Sequence, residues 1–318
     1  LLITEILVAE AERFGRIDLV SFYRRRGRRL LPALFTFIGL ALIYYQLVHG
    51  TGRVQAKGLE HVLTYTLYGA PHVPDFPFGL SQVWTLVVEW EFYIAWSIAL
   101  FVLLRLHVPK PVIGYLALAG VGVCSLGRIW LLRHNGNVVL NYHFGLLRFQ
   151  DMLAGCAVGL IPAAQRIPNF VRSIAVAFLI YATVRANYLA HWVYDWGLLG
   201  AALSTAVIIA PRNSTFWFAK FLASRPMVWV GVISYSLYLW SVFAVSEVGG
   251  HTRSWPLALR AIAVLAVSFT LASLSYYQVE RRFRARSRRA EPGGRSAGGG
   301  DQGVGQAGVA DQQLLGEA

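Results

Sequence analysis

The sequence predicts an all-α protein, a polytopic transmembrane helix bundle of about eight complete spans, and three observations carry that prediction. Of its 318 residues, 56% are hydrophobic and only 14% charged, against about 25% charged in a soluble globular chain. Mean hydropathy is +0.50. The apolar residues fall into runs close to the roughly 20 residues that one membrane crossing needs. A net charge of +13 in a soluble chain points to nucleic acid. Here the basic residues stand at the ends of apolar runs, which points instead to topology and to the lipid bilayer as the partner, with no nucleic acid.

The chain opens with "LLITEILVAEAERFGRIDLVS". "LLIT" reads as the tail of a hydrophobic segment and the next dozen residues as an interfacial helix. The first residue is Leu1 and the methionines are Met152 and Met227, so a segment preceding Leu1 is expected. Eight apolar runs follow, at 30–48, 83–106, 112–133, 143–161, 170–189, 193–210, 227–248 and 255–280. Between the first two lies a polar and aromatic loop, 49–82, whose "GAPHVPDFPFG" holds three prolines and breaks any helix. After Glu280 come "RRFRARSRR" and a Gly-rich, aromatic-free stretch with too little apolar surface to fold. The organisation is thus one membrane-embedded domain, 1–289, and a disordered tail, 290–318. No internal repeat is evident, which weighs against a transporter built on inverted repeats. Cys124 and Cys156 fall inside apolar runs without a spacing pattern and read as packed thiols.

Orientation follows from the loops. With Arg24–Arg29 in the cytoplasm and the spans alternating, 21 Lys and Arg residues fall on the cytoplasmic side and five on the other. The positive-inside rule then places both ends of the chain in the cytoplasm.

Four stretches carry chemistry. In "FYRRRGRRLLPAL", five arginines in six positions abut an apolar run. They serve as a topology anchor, an anion site, or both. Arg26 and Arg29, three apart, share a helix face, and Pro32 sits where a proline near a helix entrance sits. Cationic groups beside a helix start make a phosphate site. In "SQVWTLVVEWEFYIAW", Glu89 lies inside a span, where ionisable groups are costly and functional by default. Its depth is about 9 Å below Val83 at 1.5 Å per residue, with Thr85 and Tyr93 one turn away on its face. Glu91 is about 200° round the helix, so the two carboxylates are no acid/base pair. In "FGLLRFQDMLAGCAVGL", Arg148 and Asp151 are spaced to meet as an ion pair, structural or functional. Arg148 is also a candidate partner for Glu89. In "ISYSLYLWSVF", Tyr235, Ser236 and Tyr238 put three hydroxyls within one turn, as helix-packing groups or as part of a site.

These stretches, in this order, resemble the motifs of the acyltransferase 3 family of integral-membrane O-acyltransferases. "FYRRRGRRLLPAL" is similar to F-Y-x-x-R-x-x-R-x-x-P, which carries the family's acyl-donor arginines onto Arg26 and Arg29. The Glu89 stretch resembles W-S-L-x-V-E-x-x-F-Y at Trp84, Leu86, Val88, Glu89, Phe92 and Tyr93, with Thr85 for Ser and Gln82 for a frequent upstream His. Arg148, Asp151 and Gly155 fit R-x-x-(D/E)-x-x-x-G. Y-S-x-Y-L-W is matched, with Ser241 where His is usual. "YYQVERRFR" resembles the closing E-R-P-F-R, with Arg282 for Pro and Glu280 read as a helix end.

The resemblance implies a multi-pass enzyme of the bacterial cytoplasmic membrane with about ten helices, here lacking the first. It would take an acyl group, often acetyl, from cytoplasmic acyl-CoA as co-substrate. The acceptor would be a hydroxyl of a carbohydrate or other cell-envelope molecule outside. Arg26 and Arg29 would hold the donor across the bilayer from Glu89. Glu89 would orient a histidine base expected on the absent helix, and Arg148, Tyr235, Ser236 and Tyr238 would complete the catalytic set. None of the eight histidines lies deep in a span, so the chain alone is expected to be inactive, and a non-catalytic scaffold stays open. The other alternative is a transporter or flippase using Glu89, Arg148 and Asp151 as a polar relay without acyl chemistry. No metal site or permanently bound cofactor is expected.

Overall fold

The computed structural model describes residues 1–50, 82–187, 190–210 and 216–283, and they form helices throughout. The predicted loop falls largely, and the tail entirely, outside the described residues. The first helix, α1 (Leu2–Phe14), joins "LLIT" and the residues after it in a single element. Its Ile3, Thr4, Leu7 and Val8 are buried, and Trp96 donates its indole N–H to Thr4 Oγ1 at 3.0 Å.

The second helix, α2 (Leu19–His49), departs from expectation. It starts eleven residues before the predicted span and runs unbroken through the arginine block. Asp18 caps it, accepting from the Ser21 backbone N–H at 2.9 Å, and Gly50 ends it at φ 63°, a conformation glycine adopts without strain. Pro32 therefore sits inside the helix rather than at its entrance. The Thr36 hydroxyl donates to the Pro32 carbonyl at 2.8 Å, the kind of local bond that lets an embedded helix tolerate proline.

The remaining elements are α3 (Val83–Arg105), α4 (Lys110–Asn135), α5 (Val138–His143), α6 (Gly145–Leu160), α7 (Asn169–Arg185), α8 (Leu198–Ile209), α9 (Trp217–Leu222), α10 (Arg225–His251) and α11 (Leu257–Ser275). A 3₁₀ turn covers Pro162–Arg166, and π turns cover Val193–Gly197 and Tyr276–Glu280. Prolines mark four starts: Pro109 and Pro111 at α4, Pro168 at α7, Pro226 at α10 and Pro256 at α11. Proline suits a helix start, where its absent N–H has no partner to lose.

Among the described residues, five helices are long and apolar enough to cross a membrane, within 19–48, 83–105, 110–135, 225–251 and 257–283. The other three predicted spans are present in place but short. Helix α6 has 16 residues, α7 has 17, and the π turn with α8 covers 193–209. Sixteen residues rise about 24 Å, less than the hydrocarbon core of about 30 Å. Among the described residues, five of the eight predicted spans are complete by length and composition. The long helices turn bulky apolar groups outward, such as Leu47 (80% exposed), Val123 (70%) and Leu257 (74%), as helices solvated by lipid do.

The helix that organises the interior is α3. Its first turns pack Val83 and Leu86 with Ala33, Phe37, Leu239 and Trp240 of α2 and α10. Its second half packs Phe92, Trp96 and Leu100 with Leu7, Ile113 and Ala157 of α1, α4 and α6. Helix α3 is the seam between two packed groups, and its polar residues lie along that seam.

Candidate functional site

Glu89 and Tyr93 are four apart on α3, which places them on one helix face. The Tyr93 hydroxyl donates to Glu89 Oε2 at 3.1 Å. The Tyr93 hydroxyl oxygen in turn accepts from Arg26 Nη2 at 2.6 Å, and the Arg26 guanidinium lies over the Tyr93 ring, 4.6 Å from its centroid. A cation, a phenol and a carboxylate thus form one hydrogen-bonded chain across α2 and α3. Arg26 Nε is also buried and has no hydrogen-bond partner among the described residues. Next to this chain, the Tyr23 hydroxyl meets Ser97 Oγ at 2.5 Å.

This overturns the expected separation of the two charges. The sequence places Arg26 at the inner surface and Glu89 near the outer, with the bilayer between them. Tyr93 is the eleventh of the 23 residues of α3, so Arg26 reaches the middle of that helix. The reason is the unbroken α2: a helix that begins at Leu19 carries the arginine block inward alongside its neighbour. Arg29 behaves differently. It is exposed, as are Arg24, Arg25 and Arg28, and Arg25 pairs with Glu10 at 3.4 Å.

Arg148 is not the partner of Glu89. Its Nη1 lies 3.6 Å from Asp151 Oδ2, the ion pair the spacing predicts, and its Nε donates to the Tyr142 carbonyl at 3.3 Å. Its guanidinium also covers the Tyr142 ring at 4.5 Å. A second arginine stands nearby. Arg128 of α4 is 1% exposed and donates to the Leu147 carbonyl at 2.5 Å. Its Nε and Nη1 are without partners among the described residues.

The three hydroxyls of α10 face three different helices. The Tyr235 hydroxyl donates to the Leu30 carbonyl of α2 at 3.0 Å. Tyr238 donates to the Gln82 carbonyl at the start of α3 at 2.8 Å and meets the Thr85 hydroxyl. Ser236 is fully buried and turns to Glu280 Oε2 at 3.3 Å and Ser275 at 3.4 Å. They are not one cluster. Successive residues rotate by about 100°, so sharing a turn does not mean sharing a face. Among the three, Tyr238 is the one hydrogen-bonded to the start of α3, while Tyr235 packs against the cluster that includes Val83 and Leu86 of the same helix. Gln82 adds to this corner, donating to the Leu239 carbonyl at 2.6 Å.

Two features lie beyond what spacing along the chain shows. Spacing puts Tyr93 on the face of Glu89, but its role as the link to Arg26 comes from the packing of α2 on α3. Glu280 does not end a helix. It is fully buried in the π turn after α11, and the helix resumes through Phe283. No local pattern marks that. The histidines whose side chains are described, His107, His134, His191 and His251, are exposed, and none stands beside Glu89. Among the described residues no group of three or more His, Cys, Asp or Glu residues is placed to hold a metal ion.

A family model described as "Acyltransferase domain" matches residues 1–277. The peptidoglycan O-acetyltransferase OatA of Listeria monocytogenes is 26% identical over 310 residues, covering 89% of this chain and 49% of that protein. The O-acetyltransferase OatA of Staphylococcus aureus is 26% identical over 306 residues, covering 89% and 50%. The chain spans about half the length of these curated relatives. No solved structure matches it.

Proposed function

Because the chain belongs to the acyltransferase family whose domain model it matches over residues 1–277, we propose that it catalyses O-acetyl transfer. The donor is acyl-CoA and the acceptor a hydroxyl of a cell-envelope carbohydrate. The carrying observation is the Arg26–Tyr93–Glu89 chain, a counter-charged carboxylate fixed in orientation inside an apolar bundle. The names of the two relatives support acetyl as the group and the envelope as the setting.

In this reading the arginines of α2 hold the donor's phosphates. Four are exposed, and Arg26 keeps a buried Nε–H without a partner among the described residues. Guanidinium groups suit phosphate because their paired donors match its oxygens. The acceptor oxygen attacks the thioester carbonyl, the C–S bond breaks, and the thiolate leaves with the acceptor's proton. Glu89, oriented by Tyr93, positions the base that moves this proton, as a carboxylate does for a catalytic base. Tyr238 and Thr85, against the same stretch of α3, line the acceptor's approach.

The test uses membranes carrying the intact protein, radiolabelled acetyl-CoA and envelope carbohydrate. Label is expected in an alkali-labile ester on the carbohydrate. Glu89→Gln and Arg26→Ala are each expected to lower the rate by at least about 100-fold, the scale of one lost transition-state contact in a dry site. Movement of carbohydrate across the membrane with no label transferred would assign the protein to transport instead.

A further inference from the structure

Away from the Glu89 seam, α10 and α11 enclose a second feature. A cavity of about 490 Å³ lies where α10 ends and α11 begins, lined on one side by Ser246, Gly249 and Gly250 and on the other by Arg253 and Arg260. The glycines open it: a Cβ at Gly250 would meet nothing within 4 Å. Neither guanidinium group has an ion pair or hydrogen bond among the described residues. Glu247, the acid of this end of α10, accepts the Tyr44 and Tyr45 hydroxyls at 3.0 and 2.9 Å, on the α2 side. Arg260 sits about one turn into the apolar segment 257–283, whose most apolar 18-residue stretch is little buried by protein and is left to face lipid in a membrane.

We propose that this cavity binds the phosphate of an anionic lipid headgroup. Two cations in one cavity at the end of two membrane helices lack a protein counter-charge, and an arginine at that depth is costly without one. A headgroup phosphate supplies the charge and the acceptor oxygens, while its acyl chains continue down the exposed apolar face of α11. Basic pockets between membrane helices bind anionic headgroups in this way. The proposal is independent of acyl transfer, and its readout is binding.

The experiment titrates the detergent-purified full chain with short-chain phosphatidylglycerol, phosphatidylcholine and inorganic phosphate, and counts bound lipid by native mass spectrometry. One phosphatidylglycerol is expected to bind in preference to phosphatidylcholine. The Arg253→Gln/Arg260→Gln variant is expected to weaken it by about 30-fold, from about 1 kcal/mol per cation at a membrane surface. Gly250→Leu, which fills the cavity and keeps both charges, is expected to weaken it as well. Equal binding by wild type and the double variant overturns the proposal. Inorganic phosphate binding as tightly as phosphatidylglycerol overturns the lipid as source, and full binding by Gly250→Leu overturns the cavity as the site.

Discussion

At Tyr93 a single phenolic oxygen accepts from Arg26 and donates to Glu89, so its removal separates two charges without deleting either. Hydrogen bonds to charged groups contribute about 1.5–3 kcal/mol each. Tyr93→Phe is therefore expected to lower kcat/KM for acyl transfer by about 10–100-fold, with an unchanged elution volume on size exclusion. Asp151 tests a different charge balance, since it is the carboxylate paired with Arg148 while buried Arg128 stands nearby. Asp151→Asn is expected to destabilise by about 1 kcal/mol, below the 3–5 of a fully buried pair because the Asp151 side chain is 38% exposed. Glu10→Gln, which weakens the similarly exposed Arg25 pair, is expected to shift the thermal midpoint by no more than that. Outside the membrane, the backbone N–H and then the hydroxyl of Ser21 hold the Asp18 carboxyl below its ordinary value of 3.8. A carboxyl with the lower value in the folded state stabilises fully above its unfolded value and loses that contribution as pH falls through the folded one. The hydrogen-exchange protection factor at the first turn of α2 is expected to fall as pH drops below 3.8 in the wild type. In Asp18→Ala it is expected to be low at all pH values.

Between elements, α4 packs tightly against the end of α6 at Gly114. A Cβ there would lie 2.7 Å from Ile161 Cγ1 and 3.3 Å from the Ala157 carbonyl. Gly114→Ala is expected to lower stability by about 1–3 kcal/mol through overpacking. Gly122 on the same helix has nothing within 4 Å of an added Cβ, so Gly122→Ala is expected to be neutral or to raise stability by up to about 1 kcal/mol. Thermal unfolding in detergent compares the two. The helices were legible from the apolar runs because hydrophobicity over a window of about 20 residues is a local property. Their ends were less so. Helix α2 extends back to Leu19 because Asp18 caps it, and the arginines between are good helix formers that do not interrupt it. The last helix passes Glu280 because buried Ser236 receives that carboxylate, a contact between residues 44 apart.

For the whole molecule, the count of 21 basic residues against five predicts sidedness. An alkaline phosphatase reporter inserted at Gly136 is expected to be active outside, and one inserted at His107 to be inactive. The reverse pattern would invert the direction proposed for acyl transfer. The sequence by itself determined the membrane-helical class, the helix order and the residues that bring charge into apolar runs. Each of these follows from composition and spacing along one helix. Tertiary structure decided which of those charges meet. Arg26 joins Glu89 through Tyr93, Arg148 turns to Asp151, and Ser236 turns away from Tyr238. Those meetings depend on the axial offset and rotation of packed helices, set by all their side-chain contacts together and written in no single stretch of the chain.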